Sequence, residues 1–267
     1  MLQGLDSMTD SPLLAERDGK VVTLTLNRPG TRNALNRELV LALRDALRDA
    51  VADRDVRAVV LTGSGGSFCS GADLKSAMTE REETGMEQRI EEFHGAIKAI
   101  VHAPKPFVAA VDGAAVGFGA DLALACDLRV LSSRGYLQEK FVKIGLMPDG
   151  GGTFWVPRLV GIGRALEYLL LGTKIEAPLA LEVGLANRVV DPERLLETAK
   201  ALAHELAAGP PLAHAAIKSA VRQSWSGGID EALAREKAGQ VALLQSQDIV
   251  EGVLAWAQHR EATFKGE

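Results

Sequence analysis

Apolar positions change rhythm several times along the chain, and each change marks an element. Lys20-Val21-Val22-Thr23-Leu24-Thr25-Leu26 alternates as a half-buried strand does, and Asn27-Arg28-Pro29-Gly30 ends it. Asn36 then stands where a helix N-cap belongs, and Leu39, Leu43, Ala46, Leu47 and Ala50 share one face of a helix predicted over 37–52. Asp53-Arg54-Asp55 breaks it, and a strand over 56–61 follows, with a Gly- and Ser-rich turn over 62–67. Residues 75–88 are the most charged and least periodic stretch, expected to be an exposed loop or weak helix that moves over a site. A helix over 91–102 stops at Ala103-Pro104-Lys105-Pro106. Phe107-Val108-Ala109-Ala110-Val111 is apolar throughout, as a strand buried on both faces is.

Further on, 128–131 and 188–190 read as strands, and 153–159, 164–171 and 178–183 as short helices. A longer helix over 192–208 is entered through Asp191, with Pro192 at its first position. After Gly209-Pro210-Pro211 the pattern is helical over 212–225 and 229–259. This places a boundary between an α/β core, 1–208, and a helical region, 209–267, with a loose polar leader over 1–12.

Composition narrows the class. The 267 residues are 47% hydrophobic, enough for one large core. A net charge of −5 implies no basic face for nucleic acid. Cys69 and Cys126 sit among small or apolar residues and read as buried free thiols of a reducing compartment. With no signal-peptide pattern and no apolar run of spanning length, a cytoplasmic protein without a membrane partner is expected.

The chemistry concentrates between Phe107 and Thr153. After the apolar strand comes Asp112-Gly113-Ala114-Ala115-Val116-Gly117-Phe118-Gly119-Ala120-Asp121, then a helix start. Such a turn leaves backbone N–H groups free to hold a developing negative charge. A second turn, Leu146-Met147-Pro148-Asp149-Gly150-Gly151-Gly152, carries its own acid. Together they suggest proton transfer beside a carbonyl, although Asp121 alone could be a helix-start acid and Asp149 alone a turn residue. Leu122 stands where a dinucleotide fingerprint needs its third Gly, and Ala208 where a zinc motif begun at His204-Glu205 needs a second His, so no metal site is expected.

With these residues in view, the chain resembles the crotonase, or enoyl-CoA hydratase/isomerase, superfamily. The matching pieces are Asn27-Arg28-Pro29 with Asn33-Ala34-Leu35, Phe68-Cys69-Ser70-Gly71-Ala72-Asp73-Leu74-Lys75, and Ala110-Val111-Asp112-Gly113. They continue through 117–127, Gly145 to Asp149 with Gly151-Gly152, Gly184-Leu185-Ala186 with Val189-Val190, and Phe264-Lys265. The resemblance implies a spiral of ββα turns, a C-terminal helical region that builds a homotrimer or a dimer of trimers, and acyl-CoA substrates. Coenzyme A would arrive as the thioester carrier, with no other cofactor. The N–H groups of Ala72 and Phe118 would form the oxyanion hole. Asn33, Ala34, Leu35, Gly71, Ala72, Asp73 and Leu74 would lie along the coenzyme. Phe264 and Lys265 would approach its adenine and phosphate end, from another subunit if not their own.

Two departures from the family pattern redirect the expected reaction. The hydratases carry Glu where this chain has Asp121, and a second Glu where it has Phe141. Asp149 stands where some double-bond isomerases keep their acid, so isomerisation is the expected activity. Hydration by Asp121 and Asp149, dehalogenation or hydrolysis with Asp149 as nucleophile and His94 assisting, and a non-catalytic acyl-CoA binder are the alternatives.

Overall fold

The computed structural model describes residues 11–79 and 85–267. Most of the stretch read as a loose leader, and residues 80–84 of the stretch read as mobile, lie outside the described residues. Strands β1 (Leu13–Asp18), β2 (Val21–Leu26), β3 (Ala58–Gly63) and β4 (Phe107–Val111) form four neighbours of a six-stranded sheet, which β6 (Leu128–Ser132) and β9 (Arg188–Val190) complete. Only β1 runs antiparallel, and β2, β3, β4, β6 and β9 are parallel in that order. A smaller sheet takes β5 (Ala114–Val116), β7 (Tyr136–Gln138) and β8 (Ile175–Glu176).

The run of apolar residues in β3 and β4 follows from coverage of both faces. Val59, Leu61, Phe107, Ala109 and Val111 point into the larger core with Leu39, Leu43 and Leu47 of α1 (Arg37–Ala52). Val60, Val108, Ala110 and Val130 point the other way, onto Leu195, Ala199, Leu202 and Ala203 of α8 (Leu195–Ala208). Asn36 caps α1 as expected, accepting from the Leu39 N–H at 3.1 Å. Both cysteines are buried and free.

Differences from the sequence reading have local causes. β1 escapes the pattern because four of its six residues are exposed, so an edge strand of this kind shows no alternation. The charged stretch contains α2 (Leu74–Thr79), and α3 (Met86–Val101) begins five residues before the periodic signal. The single helix expected over 229–259 is two, α10 (Ile229–Leu243) and α11 (Gln247–Ala257). Ser246 starts the second by accepting from the Ile249 N–H with its hydroxyl. Among the described residues no helix is long and apolar enough to cross a membrane.

The chain beyond Gly209 is tied to the core chiefly by charge. α9 (Pro211–Gln223) buries no residue fully, but Lys218 Nζ lies 2.8 Å and Arg222 Nη2 2.7 Å from the Asp127 carboxylate. Lys218 also donates to the Ile100 and Lys105 carbonyls. Asp127 itself accepts from the Phe107 N–H at the start of β4. Removing one member of so enclosed a network leaves charge unpaired. Asp127→Ala is therefore expected to destabilise the protein by about 3 kcal/mol, read as a lower urea midpoint. An unchanged midpoint would show that α9 is held by other contacts.

Parallel strands send their C-terminal ends to one side, and the segments after β2, β3 and β4 meet there. Two isolated bridges lock them together: Leu35 with Ala72, and Cys69 with Ala115.

Candidate functional site

The first component is a pair of main-chain donors. Gly117, at φ 54° and ψ −127°, turns the chain from β5 into α4 (Phe118–Ala125). Phe118 opens the helix, so its N–H has no acceptor within it. Opposite, the Leu35 N–H donates to the Gly71 carbonyl and the Asp73 N–H to the Leu35 carbonyl. That pattern spends the residues on either side of Ala72 and turns the Ala72 N–H to the other edge of the bridge. The two segments touch: a Cβ on Gly71 would lie 2.7 Å from the Val116 carbonyl oxygen and 3.7 Å from the Phe118 nitrogen.

Beside the donors lie three carboxyl groups, one more than the sequence reading proposed. Asp121, on the first turn of α4, is fully buried and accepts from the Gly150 N–H at 3.1 Å. Only glycine passes so close, since a Cβ on Gly150 would fall 2.6 Å from that of Asp121. Asp149 is the next residue back along the loop and opens to solvent on its outer side. Its backbone carbonyl accepts from His94 Nε2 at 2.7 Å, a bond that requires the proton on that nitrogen.

The third carboxyl group belongs to Glu139, 4% exposed, between β7 and a short 3₁₀ turn at Phe141–Ile144. Alternation along β7 is the signal that could have found it. Leu137 is buried, and two residues on the same inward face comes Glu139. Burial pushes the Glu139 carboxyl well above the usual carboxylate range, with the Asp121 and Asp149 charges adding to the rise. Asp121 is also raised, by burial first and by Asp149 second, against the lowering effect of the Gly150 and Gly152 N–H groups. Burial likewise raises Asp149, which His94 partly offsets. Neighbouring acids whose pKa values are pushed up together resist simultaneous ionisation, and Asp149 is the outermost of the three.

Phe141 stands against the Gly117 turn, its ring 3.7 Å from where a Cβ on that glycine would be. On the other side of Phe118, the Phe93 ring of α3 packs edge-on at 4.8 Å. A mainly apolar cavity of about 550 Å³ runs from Gly151, two residues past Asp149, between α3, α5 (Gly152–Val160) and α9. Ile97, Val101, Phe154, Trp155 and Ala215 line it.

The flanking residues divide into two groups. Asn33 is fully buried, and its amide donates to the carbonyls of Ser64, Ser67 and Phe68, while its oxygen accepts from the Arg28 N–H. The side chains of Ala34 and Leu35 are buried too, so these three hold the loop with their side chains and could meet a ligand only through their backbone. Asp73 pairs with Arg28 at 3.1 Å, and Leu74 is exposed. Phe264 and Lys265 lie elsewhere. Their carbonyls accept from Arg57, which precedes β3, while the site gathers beyond Gly63 at the other end of that strand. The length of a six-residue strand, about 20 Å, separates the two ends.

Comparison with known proteins places this geometry. Residues 16–267 match the family model described as enoyl-CoA hydratase/isomerase. The chain is 41% identical over 246 residues to a probable enoyl-CoA hydratase of Rhodobacter capsulatus, covering 92% of this chain and 95% of that one. It is 35% identical over 260 residues to the 1,2-epoxyphenylacetyl-CoA isomerase of Escherichia coli, covering 96% and 98% of the two. The crystal structure of an enoyl-CoA hydratase from a Polaromonas species superposes with a TM-score of 0.89 at 35% identity, covering 94% of this chain and 99% of that one. The mixed α/β architecture is thus the crotonase fold. With its family model, relatives and solved neighbours in agreement, the chain belongs to the enoyl-CoA hydratase/isomerase family.

Proposed function

We propose that this enzyme shifts a double bond within an enoyl-CoA through an enolate. The Ala72 and Phe118 N–H groups hold the thioester oxygen as charge develops on it. Asp149 takes a proton from one carbon and returns it to another, a task a single carboxylate can perform. The observation that carries the reading is the pairing of a solvent-open Asp149 with an aromatic ring, Phe141, against the oxyanion turn. The cavity beyond Gly151 takes the acyl group. Coenzyme A follows the Gly71, Asp73 and Leu74 backbone, reached at its far end by Phe264 and Lys265 of a neighbouring subunit in a trimer or a pair of trimers. Residues 209–267 build that assembly, in keeping with the exposed Leu233, Val241, Val253, Leu254 and Trp256.

Incubation with 2-enoyl-CoA and 3-enoyl-CoA in heavy water tests the reaction. Deuterium incorporation into a rearranged enoyl-CoA is expected, and a product that gains a whole water would overturn the reading in favour of hydration. Hydration is the second reading because Asp121 and Asp149 are neighbours joined through Gly150. Phe141→Glu separates the two further. It places a carboxyl group where the hydratases carry their second Glu and admits water, so the ratio of 3-hydroxyacyl-CoA to isomerised product is expected to rise by about tenfold or more. An unchanged ratio in a folded variant would remove Phe141 from the explanation.

A further inference from the structure

Glu139 has no part in the proton transfer described above, yet it is built into the site. Neither of its carboxyl oxygens has a hydrogen-bond partner, and neither does Asp121 Oδ1. Both groups approach the Gly152 backbone. A Cβ at that glycine would lie 2.8 Å from Glu139 Oε1 and 3.0 Å from Asp121 Oδ1. The titratable groups facing Glu139 are Asp121 from α4 and Asp149 from the loop before α5, and of these three carboxyl groups His94 of α3 acts only on Asp149. Among the described residues neither Glu139 nor Asp121 is paired with a Lys or Arg. Two buried, adjacent carboxylates without a counter-charge would each bear the cost of lost hydration and repel the other. A proton on each removes both costs and supplies a donor to a group whose oxygens lack one.

We propose that Asp121 and Glu139 form a buried carboxyl pair in which each group retains its proton through neutral pH, with Glu139 as a positioning residue that adds no charge beside Asp121. The negative charge of the three-acid cluster then resides on Asp149, where the base is needed, and not beside the developing enolate. Both protons stay in the pair during turnover. This inference rests on the proposed enolate reaction for its purpose, while the pair itself can be tested without any substrate.

Difference infrared spectra of the substrate-free protein, titrated from acid to mildly alkaline pH, read the proton directly. The carbonyl stretch of a protonated carboxylic acid is expected to persist above neutrality in the wild type and to weaken in Glu139→Gln. Linkage supplies an independent count. A carboxyl group with a raised native pKa stabilises the fold fully below its unfolded pKa, and that stability is lost as pH rises towards the native value. Each proton kept by the native state alone makes the folding constant fall by about tenfold per pH unit in that window. Urea unfolding between about pH 5 and 7 should therefore be less pH-dependent by about one proton in Glu139→Gln, which a merely structural role would not produce. A wild type without the infrared band above neutrality, or an unchanged slope in the variant, would overturn the pair. Should the band be present while no enoyl-CoA is turned over, the reaction assignment fails and the pair stands.

Discussion

Asp149→Asn should lose turnover by about a thousandfold while acyl-CoA binding, read by equilibrium titration, survives. The amide keeps the shape of the turn and the neighbouring Gly150 N–H that serves Asp121, so the fold is not at risk. What disappears is the only one of the three carboxyl groups that is open to solvent and free to ionise. Burial raises the Asp149 pKa, so the wild-type rate should fall on acidification from a pH above the usual aspartate range. Activity that survives the substitution would move the base elsewhere, and Asp121 would be the first place to look.

Gly117→Val should cost about a hundredfold or more in kcat with a smaller change in KM, because a misplaced donor is felt most in the transition state. Space is not the obstacle, since a Cβ there would meet only the Phe141 ring at an ordinary 3.7 Å. The obstacle is backbone conformation: φ 54° with ψ −127° is open to glycine and closed to a β-branched residue. The variant must rotate the peptide that aims the Phe118 N–H. Gly119→Val would fail for a different reason, as its Cβ would fall 2.3 Å from the Cys69 carbonyl oxygen. Circular dichroism separates the cases: Gly117→Val should stay folded, and a folded variant with wild-type kcat would show that the turn does not organise catalysis.

Much of the frame was legible because it obeys local rules. The cap at Asn36, the face of α1 and the doubly buried β4 each announce themselves in a few residues. The breaks in the pattern were harder, since β5 and β7 are three residues long and their pairing is fixed by the spiral, not by propensity. Of the acids, Asp121 and Asp149 stood next to glycine-rich turns and were found. Glu139 was not, because a carboxyl group between Gln138 and Lys140 looks like ordinary polar surface until alternation from Leu137 is followed one residue past the strand. The inward turn of Asn33 was equally silent, since three of its four side-chain hydrogen bonds reach residues more than thirty positions away.

The bridges that join Leu35 to Ala72 and Cys69 to Ala115 bear on how such a protein can diversify. They fix the edge that carries the Ala72 N–H with main-chain atoms, which mutation of a side chain does not remove. The acids, by contrast, are single side chains on three separate segments, at Asp121, Glu139 and Asp149. A lineage can therefore exchange one acid at a time and still inherit the same main-chain edge. A constant main-chain edge beside interchangeable acids would let proteins named as hydratases and as an isomerase share a family with this chain.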